Sequence, residues 1–274
     1  FGLREDGENN WISLLVERGE NFFPWNASHP LGNKMVESAR VWFNHAELID
    51  AEKKPTKLVE VFSSKGPTSI EGWEMIWFNL ANNSRLIKWF VSEVEFGTDF
   101  TSEQLITKLS MSFPEYKPVT LEGSIISLRD MFTKSPLGLA ASEAEIALQS
   151  HDFTDDANVV LLLKKGKILK TLTRRPKNIH QLTLLYSLYF IAHNTNRSAF
   201  TVREMMETGK DSSFISPMTA FGVPPRTFML QCEGLRSRYP DYIGTVFTHG
   251  NDQVEVYPDS HTLDDIISLC ISEN

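Results

Sequence analysis

Apolar residues recur at helical spacing from the start of the chain. Residues 11–19, WISLLVERG, follow that rhythm and stop at Gly19, a residue suited to closing a helix. After the turn-rich FFPWNASHPLG, residues 33–48 predict an amphipathic helix. Met35, Val36, Ala39, Trp42, Phe43 and Ala46 form its apolar face, whereas Asn33, Lys34, Glu37, Ser38, Arg40 and Asn44 mostly point the other way. Two helices joined by a turn, the second carrying Asn, Lys and Arg outward, predict a helix-turn-helix. The next segment, TKLVEVFSS at 56–64, is read as a strand that could form a wing.

Residues 71–83 and 84–94 are rich in Trp and other apolar residues and predict buried helices. Thr101 with Gln104 three residues later has capping-box spacing, and 121–132 predict another short helix. The mixed segment 135–156, ending in HDFTDD, is the best candidate for a boundary, and no repeat is visible. Beyond it come a basic hairpin, an apolar helix at 179–192, SAFT leading into a second helix that ends at Gly209, and a turn at 217–225. A third helix at 226–238 follows, then alternating strands at 242–247 and 253–257 around THGND. Three helices and then a hairpin is the order of a winged helix. The predicted fold is mainly α (α+β), with helix-turn-helix and winged-helix modules and short β-hairpins. The predicted domains are 1–150, helical, and 151–274, the basic hairpin plus a winged-helix-like unit.

Charge changes this picture only when it is divided along the chain. The 27 basic and 35 acidic residues give a net charge of −8, which on its face argues against a nucleic-acid partner. Yet residues 159–180 hold Lys164, Lys165, Lys167, Lys170, Arg174, Arg175 and Lys177 with no acid, leaving 20 basic against 35 acidic residues elsewhere. An acidic body with one basic stripe can meet a phosphate backbone along that edge. The alternative is a solvated hairpin whose lysines guard an exposed strand.

Much chemistry is excluded. Cys232 and Cys270 are too few for a disulfide framework and form no Cys-x-x-Cys pair, which suits a reducing, cytoplasmic setting. No apolar run is long enough to span a bilayer, so no membrane partner is expected. None of the seven histidines stand at i, i+4, and the phosphate-cradling, dinucleotide and nucleophile-elbow glycine motifs are absent. Two weak Glu-x-Lys patterns, Glu52-Lys53-Lys54 after Asp50 and Glu115-Tyr116-Lys117, have the residue types of a metal-dependent nuclease. His151, Asp152, Asp155 and Asp156 could bind a cation, although such clusters are more often solvated loops.

At the helix beginning near Asn33 the sequence resembles a bacterial family. Leu31-Gly32-Asn33-Lys34-Met35-Val36, then Ser38-Ala39-Arg40-Val41-Trp42-Phe43 and Ala46-Glu47-Leu48-Ile49, are similar to that family's Leu-Gly-x-x-Lys-Asn-Met-Val and Ile-Arg-Tyr-Trp stretches. So are Glu74 to Ser84 with Trp89-Phe90, Phe100 to Leu105, Ser127 to Asp130 with Phe132, Ser135-Pro136-Leu137, and Arg238 to Tyr242. The family lies beside DNA-sulfur-modification genes, and its best-understood branch is the SspB-like nicking component of DNA phosphorothioation. Of its usual opening motif, Phe1 and Arg4 alone remain, consistent with a missing N-terminus, and Asn33-Lys34 reverses the family's order.

The resemblance implies a DNA-nicking subunit of a phage-defence modification system. It would act with sulfur-transfer proteins like phosphoadenosine-phosphosulfate reductase and with an ATPase, and would use Mg²⁺ or Mn²⁺ if it nicks. The catalytic residues are not identified. Expected DNA contacts are Asn33, Lys34, Ser38 and Arg40, the seven basic residues of the stripe, and Arg226, Arg236 and Arg238. A non-enzymatic adaptor for sulfur-transfer partners and a winged-helix transcriptional regulator are the alternatives.

Overall fold

The stripe predicted at 33–48 folds as a helix and turns its apolar face inward. The computed structural model describes residues 2–6, 9–23, 30–138, 161–165, 170–174, 176, 178–248 and 252–273. A two-residue ladder, β1 (Glu5–Asp6) with β2 (Asn9–Asn10), leads into α1 (Trp11–Arg18). Gly19 closes α1 at φ 52°, a conformation that side-chain-bearing residues rarely adopt. In α2 (Asn33–His45) Val36, Ala39, Trp42 and Phe43 are buried. The strand expected at 56–64 is instead α3 (Leu58–Lys65), so no wing follows α2. Leu58, Val59, Val61 and Phe62 are its buried residues, at i, i+1, i+3 and i+4, which is a helical spacing.

Helices α4 (Ile70–Asn83) and α5 (Arg85–Glu93) are the two Trp-rich segments. Beyond them, β3 (Asp99–Thr101) enters α6 (Ser102–Ser112) through the predicted capping box. Gln104 N donates to Thr101 Oγ1 at 3.2 Å, and Thr101 N donates to Gln104 Oε1 at 2.8 Å. After α7 (Pro118–Thr133), the basic hairpin is β4 (Leu161–Lys165) and β5 (Lys170–Arg174). This hairpin does not belong with the C-terminal half. Strand β5 pairs with β3, Phe100 opposite Leu172, giving an antiparallel sheet of order β3-β5-β4. The boundary expected near residue 150 therefore divides elements that share one sheet.

The remaining elements repeat the same order. Helix α8 (Gln181–Thr195) is followed by β6 (Ala199–Thr201), α9 (Val202–Met206), α10 (Pro217–Phe221) and α11 (Pro225–Arg238). Strands β7 (Ile243–Val246) and β8 (Gln253–Val256) complete a sheet of order β6-β8-β7, and α12 (Leu263–Ser272) ends the described chain. The turn expected at 217–225 contains α10, which begins at Pro217 and has the Ser216 hydroxyl accepting from Thr219 N.

The two halves correspond in their sheets and in the helices that flank them, while α10 has no counterpart between α6 and α7. In each sheet the last strand is central, and in each the first strand ends in Phe-Thr, with Phe100 and Phe200 buried and the Thr capping the next helix. Helices α7 and α11 both start at Pro and turn inward at matching positions. In α7 these are Leu121, Ile125, Leu128 and Phe132; along α11 they are Phe228, Cys232 and Leu235, with Tyr239 just beyond its end partly buried on the core. The repeat that the sequence conceals is thus a repeat of topology and burial.

One core joins the halves. Nearly all of α4 and α8 is buried, and the two helices pack together, with Phe78 edge-on to Phe190 at 5.5 Å. The buried Asn79 donates to Ala46 O and bonds Tyr186 Oη, both at 2.9 Å, so its polar atoms are satisfied inside the core. Glu74, also buried, accepts from His180 N at 3.0 Å, placing a carboxylate of α4 at the N-terminus of α8.

Candidate nucleic-acid interface

The expected contact residues fall on three elements. On α2, Asn33, Lys34 and Arg40 are exposed, and Ser38 is half-buried. Ser38, Val41 and His45 face Gly123, Ser124 and Ser127 of α7 across a groove of about 460 Å³. On α11, Arg226, Arg236 and Arg238 are exposed at a helix that packs against α8 and β7. Arg238 is tied to Glu273 at 2.8 Å, whereas Arg226 and Arg236 form no ion pair among the described residues.

The basic stripe divides. Lys164 and Lys165 end β4 and Lys170 begins β5, with Lys165 opposite Lys170 in the register, so all three flank the turn of the hairpin. Lys167, Arg175 and Lys177 lie outside the described residues. Arg174 is the exception: it is buried, and its two terminal nitrogens bond inside the protein, whereas its Nε meets no acceptor among the described residues. Its Nη1 donates to Val91 O at 2.6 Å and Val94 O at 3.1 Å, at the C-terminal end of α5. Its Nη2 donates to Thr219 O and to Ala220 O, the latter at 3.4 Å, in the last turn of α10.

A cation at two helix C-termini complements both dipoles and satisfies carbonyls that the helices leave open. The guanidinium also lies 3.7 Å from the Phe96 ring centroid. Burial pushes its pKa down to about 9, so it remains charged at neutral pH. The reason for its burial is topological: β5 is the central strand of its sheet, and Leu172 and Thr173 beside it are buried too.

The nuclease-like patterns serve as local structure. Asp50 Oδ1 accepts from Glu52 N and Lys54 N, both at 2.9 Å, and Lys54 pairs with Glu52, which makes a surface turn. Glu115 pairs with Arg85 at 3.2 Å. The cluster His151, Asp152, Asp155 and Asp156 lies outside the described residues. Among the described residues there is no group of three or more His, Cys, Asp or Glu placed to hold a metal ion. Among the described residues no helix is long and apolar enough to cross a membrane.

Sequence reasoning missed two features. One is Arg174 as an internal tie. The other is the cluster of Arg85, Phe113 and Tyr116 at the α6–α7 connection, where the guanidinium is 4.9 Å from the Phe113 centroid and 2.9 Å from Tyr116 Oη. The signal available was the aromatic turn FPEYKP between two predicted helices, which the Glu-x-Lys pattern obscured.

No family model and no curated protein sequence matches this chain. Two solved structures do. One is an SspB crystal structure, with TM-score 0.66, and the other a magnesium-ion-bound SspB crystal structure, with TM-score 0.65. The chain shares the fold of SspB. Both alignments run over 100% of this chain and 85% of the SspB chain at 13% identity. The resemblance read in separate stretches of sequence is therefore matched by one continuous superposition. Two of those stretches also meet in space: Arg4, from the possible remnant of the opening motif, is buried and pairs with Asp130 of the Ser127–Asp130 stretch at 2.9 Å.

Proposed function

We propose that this protein is a DNA-binding, strand-nicking subunit of a phosphorothioate DNA-modification system. The observation that carries the reading is the likeness of fold to SspB, which runs over all of this chain and 85% of the SspB chain. The topology supports the DNA-binding part: each half has the winged-helix order, with a three-stranded sheet whose hairpin serves as the wing. The first wing would carry Lys164, Lys165 and Lys170 beside its turn, and the second module carries Arg226 and Arg236 on α11. Such contacts position a duplex through its phosphates and do not read its sequence. Sulfur-transfer and ATPase proteins of the same system are the partners this reading requires.

Two measurements test it. Supercoiled plasmid incubated with Mg²⁺ or Mn²⁺ should give an open-circular product that EDTA abolishes; a plasmid left supercoiled under all conditions points to the adaptor reading. Replacing Lys164, Lys165 and Lys170 with Glu should weaken duplex binding and flatten its dependence on salt. An unchanged salt titration would remove the wing from the interface.

A further inference from the structure

Arg85 opens α5 and separates two cavities. The first, of about 230 Å³, has an apolar floor of Leu86, Leu109 and Leu121 and takes hydroxyls from Thr120 and Ser124. Its side wall is the cluster already described, in which Arg85 lies 4.9 Å from the Phe113 centroid and 5.7 Å from that of Tyr116, and the two rings meet edge to face at 68°. The second cavity, of about 280 Å³, shares Arg85 and Phe113 and adds Lys88, Trp89 and Lys210. A slot of this size, with an apolar floor, an aromatic wall, a guanidinium and hydroxyls, suits a planar ring with polar edges. Tyr116, in the wall of the slot, is itself exposed to solvent.

The location narrows the ligand. The slot lies at the connection of α6 to α7 and at the first turns of α7. In a helix-turn-helix order this is the end of the third helix that meets bases. The exposed face of α7 is nonetheless not basic: it carries Val119, Glu122, Gly123 and Ile126. That face is poorly suited to base edges inside a duplex, whereas a slot takes a base that has left the stack.

Resting on the DNA-binding reading above, we propose that this slot receives one unstacked nucleobase of a DNA strand, held against Phe113 and Tyr116, with Arg85 at its edge. The next residue, Lys117, is exposed and available to the adjoining phosphate. Holding one base out of the duplex would fix the strand that is to be cut.

The test uses the full chain and single-stranded and duplex oligonucleotides of one sequence, each carrying 2-aminopurine. Binding of the single strand should change the 2-aminopurine emission, because stacking on an aromatic side chain quenches it. Tyr116→Ala, at an exposed position, and Phe113→Leu, which keeps apolar volume, should remove that change. Each should weaken single-strand binding about 5- to 100-fold, the range for losing one stacked base, and leave duplex affinity unaltered. Melting curves matching the wild type assign the loss to the slot. Failure to bind either oligonucleotide overturns the DNA-binding reading itself. Duplex binding with no emission change, or with a change that survives both substitutions, overturns the slot and leaves the wider reading standing.

Discussion

Arg174 separates a structural cation from a DNA-binding one, and Arg174→Met puts that distinction to measurement. Methionine keeps a chain of similar length beside Phe96 and removes every donor. Val91 O and Val94 O at the end of α5, and Thr219 O in α10, then lose the guanidinium. Ala220 O keeps a second donor, Trp77 Nε1 at 3.0 Å. A buried carbonyl left without its partner costs about 1–3 kcal/mol, and loss of the cation at two helix ends adds up to about 2 kcal/mol. Against this stands relief from burying a charge with no carboxylate beside it, an effect of several kcal/mol.

The carbonyls remain in place after the substitution, so the unpaired groups dominate and a net loss of about 3 kcal/mol is expected. For a chain of this size that lowers Tm by about 6–12 °C in differential scanning calorimetry. Arg174→Lys should recover only part of the loss, because one ammonium cannot span both helix ends. Below the transition, Arg174→Met should bind duplex DNA as the wild type does. Two results would refute the reasoning: a Tm within 2 °C of wild type, or a folded variant that has lost the salt-dependent binding ascribed to the hairpin lysines.

Two further expectations follow from single positions. Burial raises the Glu47 pKa, so the folded protein holds that proton at pH values where the unfolded chain has released it. Stability should therefore fall as pH rises through the window above the ordinary carboxylate range, and urea titrations at pH 4 and pH 7 should show Glu47→Gln more stabilising at pH 7. Gly222 ends α10 at φ 71°, and a Cβ there would lie 2.5 Å from the Phe96 ring. Gly222→Ala should cost about 1–3 kcal/mol of stability by chemical denaturation, and Gly222→Asn, which tolerates the dihedral but not the space, should not rescue it.

Much of this structure was legible where one face of an element meets the core. The stripe of α2, the Thr101–Gln104 box and the order of the C-terminal elements all come from local pattern, and local pattern survives folding. The segment 56–64 was misread because its β-branched residues suggest a strand. Its buried positions, Leu58, Val59, Val61 and Phe62, already carried the helical period. Arg174 was misread for a different reason. Charge counts treat all members of a basic run alike, and only the pairing of β5 with β3, 70 residues earlier in the chain, makes its strand central. The same long-range pairing hid the repeat, since the two halves share burial positions while several of the residues that fill them differ, as Leu121 and Phe228 or Ile125 and Cys232 do. Of the candidate interface, the lysines flanking the hairpin turn and the exposed arginines of α11 stood in plain sequence. The Arg85 slot did not, because its walls come from α5, α6 and α7.

The shared core gives the duplicated halves a property that beads on a string would lack. With α4 packed on α8 and Arg174 clasping α5 to α10, the two sheets rest on one core, as the jaws of a calliper rest on one frame. A ligand that touches both sheets would therefore meet two surfaces of one interior, and a substitution in that interior reaches both at once.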